Sequence, residues 1–211
     1  FHSSAIGLGG SHGRVEGNTG TMNITVGGFD NLVKDNEGGT IGVSGTDHVI
    51  VGNRVNRVRV LGGSGHRVGG PDLADINSEG LPSGTAVQIA FTQGVTIQNN
   101  WIGTEDGLTI GVSSCTVGVG IETQNDDVLI TGNLISGIYG LGTGPHHAGQ
   151  LFGRGILASG SGDGLTITDN VIGPDITGAP LLGAVWGLDL GDPVTHPLNM
   201  TGISVTDNEI A

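Results

Sequence analysis

One short pattern recurs along the chain: apolar, any residue, apolar, any residue, a small or acidic residue, then asparagine. It reads Val95-Thr96-Ile97-Gln98-Asn99-Asn100, Val128-Leu129-Ile130-Thr131-Gly132-Asn133, Leu165-Thr166-Ile167-Thr168-Asp169-Asn170 and Ile203-Ser204-Val205-Thr206-Asp207-Asn208. A shorter copy is Val49-Ile50-Val51-Gly52-Asn53, weaker ones end at Asn18 and Asn36, and Val68-Gly69-Gly70 reads as a copy with glycine in the asparagine place. The markers 18, 36, 53, 70, 100, 133, 170 and 208 are spaced by 18, 17, 17, 30, 33, 37 and 38 residues. Period-2 alternation before each marker predicts a strand with one buried face. Return of that strand at intervals of this length predicts stacked repeats, each burying its apolar face against its neighbours. Asparagine and glycine both tolerate the left-handed backbone that a sharp corner requires. Stacked in register, Asn36, Asn53, Asn100, Asn133, Asn170 and Asn208 would form a hydrogen-bonded ladder inside the coil.

A second strand falls between markers: Ile24-Thr25-Val26, Ile41-Gly42-Val43, Val58-Arg59-Val60 and Val87-Gln88-Ile89, then Val119-Gly120-Ile121, Gly155-Ile156-Leu157 and Gly187-Leu188-Asp189. From Val26, Val43 and Val60 to the next marker is 10 residues, and from Ile89, Ile121 and Leu157 it is 11, 12 and 13. The other half of the coil varies. It takes 7 residues from Asn36 to Val43 and from Asn53 to Val60, but 19 to 24 in the four coils that follow. Four extra loops, 71–84, 103–117, 136–153 and 173–186, are therefore expected at one corner, side by side as a wall. The last coil is also stretched on its other side, around Asp192-Pro193.

The expected fold is all-β: a right-handed parallel β-helix, a solenoid of about eight coils, as a single domain over residues 1–211. Helical bundles are excluded because apolar residues nowhere recur at i, i+3, i+4 and i+7. A left-handed β-helix would need strict hexapeptides, and coils of 30 to 38 residues break them. The 43 glycines fit the many tight turns such a solenoid needs, and ordered apolar residues separate the chain from disordered low-complexity sequence.

Seven lysines and arginines against 20 aspartates and glutamates give a formal charge of −13. Such a surface repels nucleic acid and anionic membranes, so neither nucleic-acid binding nor membrane insertion is expected. A single cysteine, Cys115, excludes an internal disulfide framework. No signal peptide or membrane span is visible. Because the chain starts at Phe1, it reads as processed or as a segment of a longer protein or assembly.

With these repeats in view, the chain resembles the pectin-lyase-like right-handed β-helix superfamily, and within it the Gly/Asn-rich repeat region of bacterial surface and secreted proteins. The residues that carry the resemblance are His66-Arg67-Val68-Gly69-Gly70-Pro71 and Asn99-Asn100-Trp101-Ile102-Gly103-Thr104-Glu105-Asp106-Gly107, with a poorer copy at Asn170-Val171-Ile172-Gly173-Pro174-Asp175. The resemblance covers most of residues 15–211. It implies the fold and an extracellular, cell-surface or virion-surface location. It does not single out an activity, since this fold hosts lyases, hydrolases, epimerases, tailspikes and adhesins.

Loops on a rigid scaffold commonly carry function. The carboxylates near the expected wall, Asp72, Asp75, Glu105, Asp106 and Asp175, are the candidate catalytic residues. A converging pair could hydrolyse a glycosidic bond, and a converging cluster could hold Ca²⁺ through hard oxygen ligands. No other cofactor and no dedicated metal site is read from the chain. Candidate binding residues are Trp101, Glu105, His146, His147, Phe152, Arg154 and Trp186. Arg54, Arg57, Arg59 and Arg67 fall in the short coils, away from the wall, and polysaccharide lyases of the superfamily usually need a basic residue at the reacting uronate. Threonines outward on the asparagine-bearing strand are also what strand propensity alone would place there.

The expected function is a non-catalytic extracellular module for scaffolding or adhesion in a surface, appendage or phage-tail-type protein, contacting glycans. The rival is a polysaccharide-degrading enzyme, glycoside hydrolase or lyase, using carboxylates of the loop wall. Expected partners are polysaccharide and, at the open ends, other chains or further segments of the same protein, because uncapped solenoid ends expose strand edges and open core.

Overall fold

The computed structural model describes residues 4–75, 77–79, 83–104, 107, 114–138, 140–141, 151–174, 177, 186–191 and 198–211. It is an all-β parallel solenoid. Three sheets run its length, and in each the strands lie in sequence order, because each neighbour comes from the next repeat.

Sheet A holds the strands Ser4–Leu8, Met22–Val26, Thr40–Thr46, Arg57–Ser64, Ser83–Gln93, Ser114–Asp126 and Arg154–Asp163. Its last rank is split into Trp186–Asp189 and Asn199–Thr201, which both pair with Arg154–Asp163. The stretch expected around Asp192-Pro193 falls at residues 192–197, outside the described residues. Sheet B holds the strands that precede each marker, from Arg14–Glu16 through Val49–Val51, Thr96–Gln98 and Val128–Thr131 to Ser204–Thr206. Sheet C is formed by two- and three-residue strands such as Arg54–Val55, Ser78–Glu79, Trp101–Ile102, Leu134–Ser136, Val171–Gly173 and Glu209–Ile210.

The core is made of stacked β-branched residues in strict register. Ile24, Ile41, Val58, Val87, Val119 and Ile156 form one column of sheet A. Val33, Ile50, Val68, Ile97, Ile130 and Ile167 form the column of sheet B that faces it across the interior. These side chains are all but inaccessible to solvent. Burying each contributes about 1.5–3 kcal/mol relative to leaving it in water.

The asparagines stack beyond sheet B. Nδ2 of Asn18 donates to Oδ1 of Asn36, and the same 2.9 Å bond links Asn36 to Asn53, Asn53 to Asn77, Asn77 to Asn100, Asn100 to Asn133, Asn133 to Asn170 and Asn170 to Asn208. Most rungs are doubled. The main-chain N–H of Asn100, for example, also donates to Oδ1 of Asn133, at 3.0 Å. The second Nδ2 proton is used as well: Asn133 donates to the carbonyls of Ile97, one coil back, and of Thr131. Asn36, Asn53, Asn77, Asn100, Asn133 and Asn170 are buried, and Asn208 is half-buried. Every polar group of a buried amide is thereby satisfied, which removes the penalty its burial would carry.

Two sequence expectations are corrected here. The slot expected at Gly70 is occupied by Asn77. Residues 69–76, with a 3₁₀ turn at Leu73–Asp75, separate the sheet B strand Arg67–Val68 from it, where other coils have two residues. The left-handed residue is also not the ladder asparagine but the one before it: Gly17, Asp35, Gly52, Asn99, Gly132, Asp169 and Asp207 all have φ between 51° and 69°. The asparagine side chain turns inward only after that corner has been made.

The insertion changes the expected wall. Loops 103–117, 136–153 and 173–186 each leave a sheet C strand and return to sheet A, with 105–106, 108–113, 139, 142–150, 175–176 and 178–185 outside the described residues. Loop 71–84 is different in kind. The sheet C strand Ser78–Glu79 lies within it, so its extra length is divided between two corners.

A second polar column stands at the corner between sheets A and B. Asn31, His48 and His66 occupy equivalent positions, each just after a left-handed residue, Asp30, Asp47 and Gly65. Nδ1 of His48 accepts from the N–H of Asn31 (3.2 Å), and Nδ1 of His66 accepts from the N–H of His48 (3.4 Å). With Nδ1 an acceptor, the proton sits on Nε2, which donates to the carbonyls of Ser44 (2.9 Å) and Gly62 (3.2 Å) respectively. The two rings stack with centroids 5.1 Å apart. In later coils the same position is filled by Val95, Val128 and Leu165. No helix among the described residues is long and apolar enough to cross a membrane.

Candidate functional site

The outer face of sheet A carries a polar groove. The groove, of about 480 Å³, runs across its early strands, lined by Asn23, Thr25, Thr40, Ser44, Arg57 and Arg59 together with Leu61. It exists because Gly42 stands between Thr25 and Arg59 in the outward column and puts no side chain there. Nε of Arg57 donates to the carbonyl of Thr85 at 2.9 Å. Nε of Arg59 donates to Oε1 of Gln88 at 2.9 Å, and Nε2 of Gln88 donates to Oε2 of Glu122 at 2.7 Å. Three outward side chains on successive strands are thus tied into one relay, which fixes the plane of each. Further along the same face, Nε of Arg154 donates to Oδ2 of Asp189 at 2.5 Å.

Sequence reasoning did not reach this surface. Loop length points away from it, since Arg57 and Arg59 fall in the short coils. The signal lies in the outward position of the second strand, Thr25, Gly42, Arg59, Gln88 and Gly120, which the register places in one column.

Of the residues proposed from sequence, the structure brings Asp72 and Trp101 together. They line an open cavity of about 300 Å³ with Pro71, Leu73, Asn99 and Leu134. Leu73 is 86% exposed on the 3₁₀ turn. Asp75 does not join them: its carboxylate lies over Gly70, where an added Cβ would come within 2.2 Å of Oδ2. Its main-chain carbonyl accepts from the N–H of Gly52, so Asp75 closes the insertion onto the preceding coil. Phe152 lies in a short antiparallel ribbon, paired with Gly140, and Trp186 begins the last rank of sheet A, paired with Arg154. Glu105, Asp106, Asp175, His146 and His147 lie outside the described residues.

Among the described residues, no three His, Cys, Asp or Glu side chains converge so as to hold a metal ion. Burial lowers the pKa of His66 below the usual 6.5, and the neighbouring His48 adds to this, against the raising effect of the Gly62 carbonyl and of Asp47.

Compared with known proteins, the chain matches no family model, no curated protein and no solved structure.

Proposed function

We propose that this chain is a right-handed β-helix of about eight coils, related to the pectin-lyase-like superfamily, that serves as a non-catalytic extracellular or surface module for scaffolding or adhesion. Its contact surface for glycans is the outer face of sheet A. The observation that carries this reading is the groove beside the Arg59–Gln88–Glu122 relay. Hydroxyl, amide and guanidinium groups stand there at strand spacing, about 4.8 Å apart, on a face whose backbone hydrogen bonds are already made. Such a surface offers hydrogen bonds to a hydroxyl-rich chain without rearranging.

The rival reading, a polysaccharide-degrading enzyme, is favoured by the pairing of Asp72 with Trp101 in one cavity. Affinity electrophoresis through gels containing neutral or acidic polysaccharides, run beside a reducing-end assay, separates the two. The module reading expects retardation without depolymerisation, weakened several-fold by Arg59→Ala. Depolymerisation that disappears in Asp72→Asn contradicts it in favour of the enzyme. Absence of both retardation and depolymerisation across the panel contradicts glycan contact.

A further inference from the structure

Phe91 takes a left-handed backbone at a corner that the adjacent strands share, Gly62 before it and Thr123 after it both having positive φ. It lies within the sheet A strand Ser83–Gln93, yet its φ is +58°, a value at which an aromatic residue is a true outlier. The pairing register skips at this point. Ala90 faces Glu122 and Thr92 faces Asn125, so the extra residue is on the following strand, where Thr123 and Gln124 stand opposite Phe91. On the preceding strand the equivalent place is held by Gly62, with φ +95°, where this conformation is unstrained. Thr92 fixes the bulge from inside: its N–H and Oγ1 both reach Oδ1 of Asn125, at 3.2 and 2.9 Å. The strained residue is then turned outward, and its ring is 65% exposed. A glycine would make the same corner without strain and without presenting an aromatic ring to water. Strain of this kind concentrates where a side chain has to be aimed.

The ring borders an open cavity of about 420 Å³ whose other walls include Ser64, Gln93, Gln124 and Asp126. Asp126 is half-buried, and its Oδ1 is held by the N–H of Asp163 at 3.0 Å. No lysine or arginine is among the described residues that line the cavity. The face of an aromatic ring is electron-rich and attracts cations, and a neighbouring carboxylate strengthens that attraction. The net charge of −13 concentrates cations around the whole molecule.

We propose that the Phe91–Asp126 cavity is a binding site for an organic cation, an alkylammonium or guanidinium group, carried by a small amine or by a basic side chain of a partner protein. The site is independent of the glycan groove. Titration of the isotope-labelled protein with tetramethylammonium, with a hexalysine peptide and with cellobiose tests it by NMR. Both cations should shift the amide resonances of Gly63, Phe91, Gln93 and Gln124, and cellobiose should not. Tighter binding of the peptide marks a protein partner as the source, and equal binding per charge marks a free amine. Phe91→Gly should abolish the shifts while the melting temperature stays the same or rises, because glycine accepts the left-handed backbone. Asp126→Asn should weaken binding several-fold. Cation-induced shifts that survive Phe91→Gly, shifts produced by cellobiose instead of the cations, or no shifts at saturating cation would overturn the proposal.

Discussion

Nδ2 of Asn53 donates to Oδ1 of Asn77, 2.9 Å away and 24 residues later in the chain. The adjoining rungs are spaced by 17 residues before it and 23 after it. The ladder is therefore indifferent to how much chain each coil contains, and only the register of the slot matters. Replacing Asn77 by leucine leaves the N–H and Nδ2 of Asn53 without their acceptor and Oδ1 of Asn100 without the Asn77 donor. Buried groups left unpaired in this way should lower stability by more than about 2 kcal/mol. Asn208→Leu, at the half-buried end, should lower it by less. Equilibrium urea unfolding of both variants checks this, and equal losses would count against the ladder as a source of stability.

Burial of His66 in the second polar column should make the early coils acid-sensitive. His66 is neutral in the fold with its pKa lowered from 6.5, mainly by burial. The unfolded chain therefore binds more protons below that value, and stability rises with pH through this window. It should be intact above about pH 6.5 and fall as the pH drops toward the folded-state pKa. Asn31 does the same work in the same column with an amide, accepting from Gly13 and donating to the Gly27 carbonyl. The double variant His48→Asn, His66→Asn should keep the column and flatten the slope. Melting temperatures at pH 7.5 and 5.5 for both proteins decide it.

The glycines divide into two kinds. Gly10, Gly28, Gly45 and Gly63 stack at the exit of sheet A with left-handed φ. A Cβ added to Gly45 would lie 2.0 Å from the carbonyl oxygen of Gly28. Gly45→Ala should cost more than about 2 kcal/mol, from backbone strain and the clash together. At Gly17 the φ is +69° and an added Cβ meets nothing within 4 Å. Asp35, Asp169 and Asp207 hold the same corner in other coils, so Gly17→Asp should change stability by less than about 0.5 kcal/mol. Thermal unfolding of the two variants reads the contrast.

Much of this architecture is written in the spacing of apolar residues and asparagine. Val95 to Asn100 and Leu165 to Asn170 announce a strand, a corner and an inward amide within six residues. Asn77 is hidden because the 3₁₀ turn Leu73–Asp75 intervenes, and nothing local to Val68-Gly69-Gly70 shows that the chain will return to the slot seven residues later. Sheet C is hidden because strands such as Trp101–Ile102 are two residues long, too short for a period to register. The outward faces are hardest to read. Gly42 and Arg59 form part of a groove only once register sets them side by side. Phe91 looks like any strand residue until its φ is known.

One continuous chain of amide–amide hydrogen bonds runs from Asn18 to Asn208. Hydrogen exchange of the asparagine Nδ2 and main-chain N–H groups, followed residue by residue by NMR, tests it most directly. The ladder predicts that Asn36, Asn53, Asn77, Asn100 and Asn133 exchange only through global unfolding, all at one slow rate, while Asn208 exchanges much faster. Rapid exchange at Asn77 or Asn100, at the rate seen for Asn208, would mean that the rungs are not formed in solution.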